Sequence, residues 1–570
     1  MKTTQHAIRF AALILCTGAA HAATFETQNF SGNFDSTVTA GFGVRAQGRA
    51  CSSVIGSAGG SANPTPPTGP TAGGGCADAF SGYNDQGNLN YDRGDRFTTY
   101  LKGTHELLLN FPDDVKFLAR VSWLRDFSAT HTTGNLSGLG SAASIPANAE
   151  QDLHDKERLL DFWVSKGFSM GAQRGRVRVG NQVLNWGESL FLPGGLNQTN
   201  SLDLLRLAQP GTQLKEAVLP APMIDVSSGL GHGLSVEAYV QQGWNGNYFA
   251  PVGSYWSTAA IGKGAENYGI PDAGKPRKGR QYGVALRYQP EGTELNVGLY
   301  AMNYHDKSPV LVTSPTSASG FAYRYLEDRK MAGVSANFPL GNWAIGTELS
   351  YRPHDAVTLN GSAPGFGTTS LTPTLGVMSC QANGNCYVEE KKFQWHVTGM
   401  LSLTPSDNET ILGLLGADTA TFLAEAVLIR YPHLQSRYGG VPVAAGGWGF
   451  GYATTGQADA TGAGTPAPAG TGTSYGYNLD FSWVYDGKLI PGWQVVPEVY
   501  VFQAVKGRTP NAMATFMQGA KSANFIVNFI ENPAKWQVSL NYARFWGGDS
   551  VFDQPLRDRG FFGAAISRNF

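Results

Sequence analysis

The chain has 570 residues, with 42 Lys and Arg against 43 Asp and Glu and a formal net charge of −1. Charged residues make up only 15% and glycines number 73, against about 25% charge and roughly 7% glycine in ordinary soluble proteins. Mean hydropathy is nonetheless −0.19, and no apolar run after the N-terminal leader reaches the roughly 18 residues of a spanning helix, so a helical membrane protein is excluded, as is a nucleic-acid binder working through a basic surface.

Met1 to Arg9 carries Lys2 and Arg9 and no acid, and Phe10 to Ala20 is an apolar run followed by Ala20-His21-Ala22. This predicts a secretory signal peptide over 1–22, with 23–570 forming a single domain. Cys16 leaves with the signal. Of the remaining cysteines, Cys51 and Cys76 share one Gly/Pro/Ser/Thr-rich stretch, and Cys380 and Cys386 share another. Four cysteines allow three connectivities, and the spacing favours Cys51–Cys76 and Cys380–Cys386, each stapling an extracellular loop (50–97 and 354–389) in an oxidising compartment. No Cys-x2-Cys spacing and no nearby histidines point to a metal.

The chain then repeats one pattern of about ten alternating residues, a turn, ten more, and a polar loop. Tyr282, Val284, Leu286 and Tyr288 alternate with Gly283, Ala285 and Arg287, and Trp343, Ile345, Thr347, Leu349 and Tyr351 alternate with Ala344, Gly346, Glu348 and Ser350. Period two with one apolar face means strands with a wet side and a dry side. Such segments fall near 35–46, 98–111, 115–127, 158–170, 176–186, 216–230, 234–244, 280–290, 293–305, 328–340, 343–353, 391–405, 420–431, 474–486, 493–504, 521–531, 536–546 and 559–570. Short turns, such as Pro112-Asp114, Gly341-Asn342 and Ser406-Asn408, alternate with long loops, and aromatic residues gather at strand ends. Short turns on one rim, long loops on the other and two aromatic girdles describe an all-β transmembrane barrel of about 18 strands (16–18 allowed). Ile411 to Ile429 is apolar enough to suggest a spanning helix, but Asp418 and Glu425 within it argue for a strand.

Residues 176–228 break the pattern. Arg176 and Arg178 fall on the wet face, and where a polar surface loop should follow, Leu202, Leu204, Leu205 and Leu207 appear instead. Asn200 or Ser201 could cap a short helix with Asp203 in its first turn. Placing residues 187–215 inside the barrel, as a constriction or plug, accommodates these leucines; a loop packed on the rim is the alternative.

The arrangement RVGNQVLNWGES…GGLN…D…R…PG…KEA over this stretch, with LLDFWVSKGF upstream, resembles the Gram-negative outer-membrane proteins grouped as domain of unknown function 1302. The resemblance spans the mature chain. It implies a single-chain barrel in the cell outer membrane, set beside a second uncharacterised envelope family and exporters of the resistance-nodulation-division type, near pathways handling sterols, terpenoids or other hydrophobic compounds. It carries over a structural or gating motif of Gln182, Trp186, Gly187, Glu188, Asn197, Asp203, Arg206 and Glu216. The terminal Phe570, on a face shared with Phe562, Ala564, Ile566 and Arg568, resembles the signal read by the barrel assembly machinery, with Arg568 a departure from the usual apolar choice.

Catalytic motifs are weak. Gly167-Phe168-Ser169-Met170-Gly171 and Gly472-Thr473-Ser474-Tyr475-Gly476 fit the nucleophile-elbow pattern, but neither sits on a strand–turn–helix. His105, His305, His396 and His433 read as polar wet-face or rim residues, since no spacing ties them to a nucleophile. Inward charges of both signs are expected, among them Lys102, Arg120, Arg176, Arg178, Glu106, Asp161 and Glu348. The expectation is therefore a non-enzymatic barrel without cofactor or metal, in contact with the outer-membrane bilayer and not with nucleic acid. Its function would be passage of a small hydrophobic compound, alone or with an envelope exporter. A general hydrophilic porin and a non-transporting scaffold barrel are the alternatives.

Overall fold

The structure, a computed structural model, describes residues 23–48, 87, 90–132, 145–258, 261–268, 270–272, 274–317, 320–359, 381, 383–406, 409–446, 469–511, 513–549 and 553–570. The expected signal peptide and Cys51, Cys76 and Cys380 lie outside these; Cys386 is buried.

Eighteen strands form one antiparallel sheet in which each pairs with its neighbours in sequence and the last pairs with the first. In chain order they are β1 (Ser31–Arg45), β2 (Arg96–Phe111), β3 (Val115–Asp126), β4 (Asp155–Met170), β5 (Gln173–Gln182), β6 (Ala221–Gly231), β7 (Leu234–Gln241), β8 (Gln281–Tyr288), β9 (Asn296–Tyr304), β10 (Arg329–Leu340), β11 (Trp343–Thr358), β12 (Tyr387–Leu403), β13 (Thr419–Arg430), β14 (Thr473–Ile490), β15 (Trp493–Lys506), β16 (Ala520–Glu531), β17 (Trp536–Gly547) and β18 (Phe561–Asn569). β18 closes on β1 with Phe562 opposite Val44 and Arg568 opposite Val38. Below that seam Ala23–Glu26 takes the same edge of β1, with Ala23 opposite Phe34.

Tight turns occupy one rim. Between β2 and β3 both Asp113 (φ 59°) and Asp114 (φ 54°) are left-handed, and between β6 and β7 so are His232 (φ 49°) and Gly233 (φ 75°); two successive positive φ values match the right-handed twist of the flanking strands. The turn expected at Ser406-Asn408 lies partly outside the described residues. A helix, α1 (Glu409–Leu415), follows it before β13 begins at Thr419. The apolar run is thus divided at Gly416 between a helix and a strand. Leu412 buries against Leu403 and packs with Leu401, Phe481 and Trp483.

The outer face is the dry one. Tyr282, Val284, Leu286 and Tyr288 are exposed while Gln281, Gly283 and Ala285 between them are buried. His105 departs from the wet-face reading. It shares its face with the exposed Leu101, opposite the exposed Val121, so alternation turns it outward, where Ser36 Oγ (2.8 Å) and the Trp123 indole N–H (2.9 Å) satisfy its ring nitrogens. Charges on the inner face pair with each other: Arg120 with Glu106 (2.5 Å) and Asp161 (2.6 Å), Arg287 with Glu237 (2.6 Å), and Arg178 with Asp225 (3.7 Å). At the C-terminus Phe570 exchanges backbone hydrogen bonds with Ser36, and the Arg568 guanidinium lies over the rings of Phe570 (4.8 Å) and Trp536 (5.0 Å), which accounts for a cation in that apolar series.

The core is inside the barrel. Leu184, Trp186 and Leu196 pack on Met223, Tyr239, Ala285, Tyr300 and Met302 of the β6–β9 wall, while Leu192 joins Val357, Val427, Ile429 and the loop residues Val441, Val443 and Phe516.

Leu349 is exposed between the aromatic positions Trp343 and Tyr351 on β11. Leu349→Arg should destabilise the barrel by about 2–4 kcal/mol in reversible denaturant unfolding from vesicles, whereas Ser482→Ala on the wet face should change it by less than about 0.5 kcal/mol.

Candidate functional site

The wall ends early at β5. Gly180 has φ 138°, and a side chain there would strike the Phe162 carbonyl. Gln182, buried on the wet face, donates through Nε2 to the carbonyls of Met223 (3.0 Å) and Arg178 (3.2 Å). Residues 183–186, expected to continue the strand, instead turn inward, and the wall resumes at Ala221. The intervening strap has two lobes, pinched together where Ser201 and Leu202 pair with Leu219 and Val218.

The first lobe, 183–200, reaches the β11–β13 wall and is held there by its backbone. Glu348 on β11 is buried and accepts from the amides of Glu188 (2.6 Å) and Leu196 (2.9 Å). Glu425 on β13 accepts from those of Phe191 (2.7 Å) and Leu192 (2.8 Å). Its second oxygen meets Nδ1 of the fully buried His396 at 2.7 Å. Gln394 donates to His396 Nε2 (2.8 Å) and to the Pro193 carbonyl (3.2 Å), so the imidazole proton sits on Nδ1 and points at Glu425. Both ring nitrogens are thereby spent on holding the strap. The carboxylates approach the backbone so closely that only glycine fits. A side chain on Gly195 (φ 58°) would lie 1.8 Å from a Glu348 oxygen, and one on Gly187 would lie 2.4 Å from the other. Within the lobe, Asn197 Oδ1 accepts from the amides of Trp186 (3.1 Å) and Gly187 (3.2 Å). Glu188 accepts from Asn337 (3.0 Å); burial foremost, and then the facing Glu348, push its carboxyl up.

The second lobe, 203–217, reaches the other side. Glu216 is buried and accepts from Lys102 Nζ (2.6 Å) and Thr104 Oγ1 (3.0 Å) of β2, Lys102 also donates to the Gly211 carbonyl (2.8 Å), and Tyr100 donates to that of Pro210 (2.5 Å). Asp203, not Asn200 or Ser201, caps the helix α2 (Leu204–Leu207), accepting from the Arg206 amide at 2.9 Å. Its other oxygen pairs with Arg158 of β4. Arg206 is buried, faces Asp203 and Glu216, and leaves Nη2 without a hydrogen-bond partner.

β2 and β11 stand nine places apart in a ring of eighteen. The strap is therefore anchored at opposite ends of a diameter and crosses the lumen. Its lobes enclose a cavity of about 480 Å³. Leu190, Phe191 and Leu192 line it from the first lobe and Leu207 and Leu214 from the second, with Arg120 and Asp161 on the wall. Leu190, Leu207 and Leu214 are 46%, 45% and 64% exposed into this space. Above it Asn247, Ser308 and Met513 from three different loops make contact with one another.

The structure thus brings together seven motif residues, Gln182, Trp186, Gly187, Glu188, Asn197, Asp203 and Glu216, in strap contacts, with Arg206 buried between two of them. Of the lumen charges, Glu348 is an anchor and Arg120 and Arg178 belong to wall ion pairs. Arg176, on the same face as Arg178, is exposed near the tight-turn rim. Glu425, His396, Gln394 and Arg158 are functional neighbours that the motif did not include. Glu425 carried a signal, as an acid inside an apolar run on an inward position. Among the described residues no group of three or more His, Cys, Asp or Glu side chains is placed to hold a metal ion.

A family described as protein of unknown function (DUF1302) matches residues 4–570. The chain belongs to the DUF1302 family. No curated protein matches it in sequence. Solved structures similar to this DUF1302 chain include Acinetobacter baumannii OccAB1 (12% identity, TM-score 0.41, covering 95% of this chain and 96% of that one). Pseudomonas aeruginosa OccK1 (OpdK) is similar at 10% identity and TM-score 0.39, covering 95% and 98%, and OccK9 (OpdG) of the same organism at 9% and 0.41, covering 95% and 98%. What this DUF1302 protein does has to be read from its own geometry.

Glu348→Ala would leave two strap amides without their acceptor, at about 1–3 kcal/mol each. Hydrogen exchange should accelerate at Glu188 and Leu196 while the amides of β11 stay protected. Lys102→Met removes the ammonium bonded to the buried Glu216 and leaves it only Thr104 and the facing Arg206, a loss of up to about 3–5 kcal/mol, and limited proteolysis should then cut within 203–217 before any wall strand.

Proposed function

We propose that this protein is an outer-membrane channel whose lumen is narrowed by the strap and that it passes a small hydrophobic compound. The observation that carries this reading is the cavity between the two lobes, where Leu190, Leu207 and Leu214 face the open space and the charges are those of the Arg120–Asp161 pair and Lys215. A pore for hydrophilic solutes gains nothing from Leu207 and Leu214 exposed in its lumenal cavity, since each takes apolar area into water at about 25 cal/mol per Å²; a pore for apolar solutes recovers that loss whenever the site is occupied. The closed barrel with its apolar outer face supports the location, as do the expected signal peptide and the terminal Phe570, which we assign to barrel assembly. Cooperation with an envelope exporter and the Cys51–Cys76 and Cys380–Cys386 staples belong to the same proposal.

In planar bilayers, deletion of 196–209 should raise the single-channel conductance. Unchanged conductance from a fully folded barrel would remove the strap from the conducting path. Replacing Leu207 and Leu214 together by serine should lower the flux of an apolar solute into proteoliposomes several-fold while small-ion conductance is kept.

A further inference from the structure

On one side β4 pairs with β3 from Asp155, opposite Arg125, to Lys166, opposite Val115, with a bulge at Leu160 and Asp161. On its other side pairing begins only at Phe162, opposite Asn181. The edge from Asp155 to Asp161 therefore has no strand of the barrel beside it among the described residues. The cause is the strap. β5 and β6 stop at Gln182 and Ala221 because the chain between them has gone inward, and the wall that would have flanked β4 at this height was never built. Asn181 Nδ2, donating to the Leu160 carbonyl (2.5 Å), closes the last rung.

The height of this gap matters. The outward residues of β4 read, from the loop rim downward, Asp155, Glu157, Leu159, Phe162 and Val164. Glu157 marks headgroup level, and Leu159, Phe162 and Val164, all exposed, mark the acyl layer. An open sheet edge is not tolerated facing lipid, because each unpaired N–H or C=O costs several kcal/mol in hydrocarbon; it persists only where it borders protein or water. The water available is that of the cavity, whose lining includes Asp161 at the foot of the gap and Val183, Asn185 and Asn200 of the strap root behind it.

We propose that this gap is a lateral window through which an amphiphile with an apolar body and a polar head moves between the outer-leaflet level of the bilayer and the lumenal cavity. It rests on the cavity being a solute site, as proposed above, and adds the path and the solute class. The polar head travels along the unpaired backbone edge and Asp161, and the apolar body passes from the Leu159–Phe162–Val164 surface to Val183, Leu202 and Leu207. A pore gated only along its axis needs no such surface continuity.

The test uses full-length protein in phospholipid vesicles with one introduced cysteine, probed by a maleimide on a long alkyl chain, which stays in the bilayer, and by a charged maleimide, which stays in water. Asn185→Cys should react with both reagents. Ser482→Cys, on the inner face of β14 where both edges are paired, should react with the charged reagent alone, and Leu159→Cys with the alkyl reagent. Asn185→Cys reacting with the charged reagent alone overturns the window and leaves the cavity standing. Asn185→Cys reacting with neither overturns the cavity and, with it, the reading on which the window rests. As a check independent of thiol chemistry, Val183→Trp should narrow the gap and slow uptake of an alkyl-chain amphiphile by fivefold or more; equal uptake contradicts the window.

Discussion

A backbone inside a bilayer has to find every hydrogen bond within itself, and the architecture follows from that requirement. Eighteen strands satisfy it by closing Phe561–Asn569 on Ser31–Arg45. Once closed, a ring of this size encloses a wide lumen, and what fills it decides what the protein can do. The same demand for partners then acts on the filling. The strap brings backbone amides into the interior, and the wall answers with carboxylates: Glu348 takes two amides and Glu425 takes two. Buried acids that would be destabilising if unpaired become the points at which an irregular segment is held.

The two lobes are anchored by opposite chemistry. On β11–β13 wall anions receive strap amides, and on β2 the wall cation Lys102 receives the strap anion Glu216. Each side fails when one partner is removed and neither can be exchanged for the other, which fixes the orientation in which the strap crosses. The glycines at 187 and 195 belong to the same arrangement, because the Glu348 carboxylate occupies the space where their side chains would be.

The strands were legible because period-two alternation is local, and all eighteen segments reappear with ends shifted by a few residues. The failures have physical causes. Residues 183–186 keep the alternation of a strand, but Leu184 and Trp186 bury against the inner face of β6–β9, so the pattern that marks a lipid-facing strand also marks a segment lying on the inside of the wall. His105 could not be turned outward by composition, since its partners Ser36 and Trp123 come from other strands. α1 escaped notice because seven residues are too few to show helical periodicity beside an apolar strand. Within the strap, Asn197, Asp203 and Glu216 were visible as polar residues among leucines. Lys102, the partner of Glu216, and Arg158, the partner of Asp203, lie far off in sequence, and only the closed ring brings them together.

A hoop tied across one diameter no longer deforms equally in all directions. Squeezing the β6–β7 and β15–β16 walls together separates β2 from β11 and stretches the strap against four carboxylate-held amides and a buried ion pair, whereas pressing β2 toward β11 puts no tension on those ties. The cross-section is thus stiff against that separation where the cavity sits, and the compliant parts of the molecule are the rims above and below it. The strap, besides narrowing the lumen, serves as the tie-rod that keeps β2 and β11 from parting.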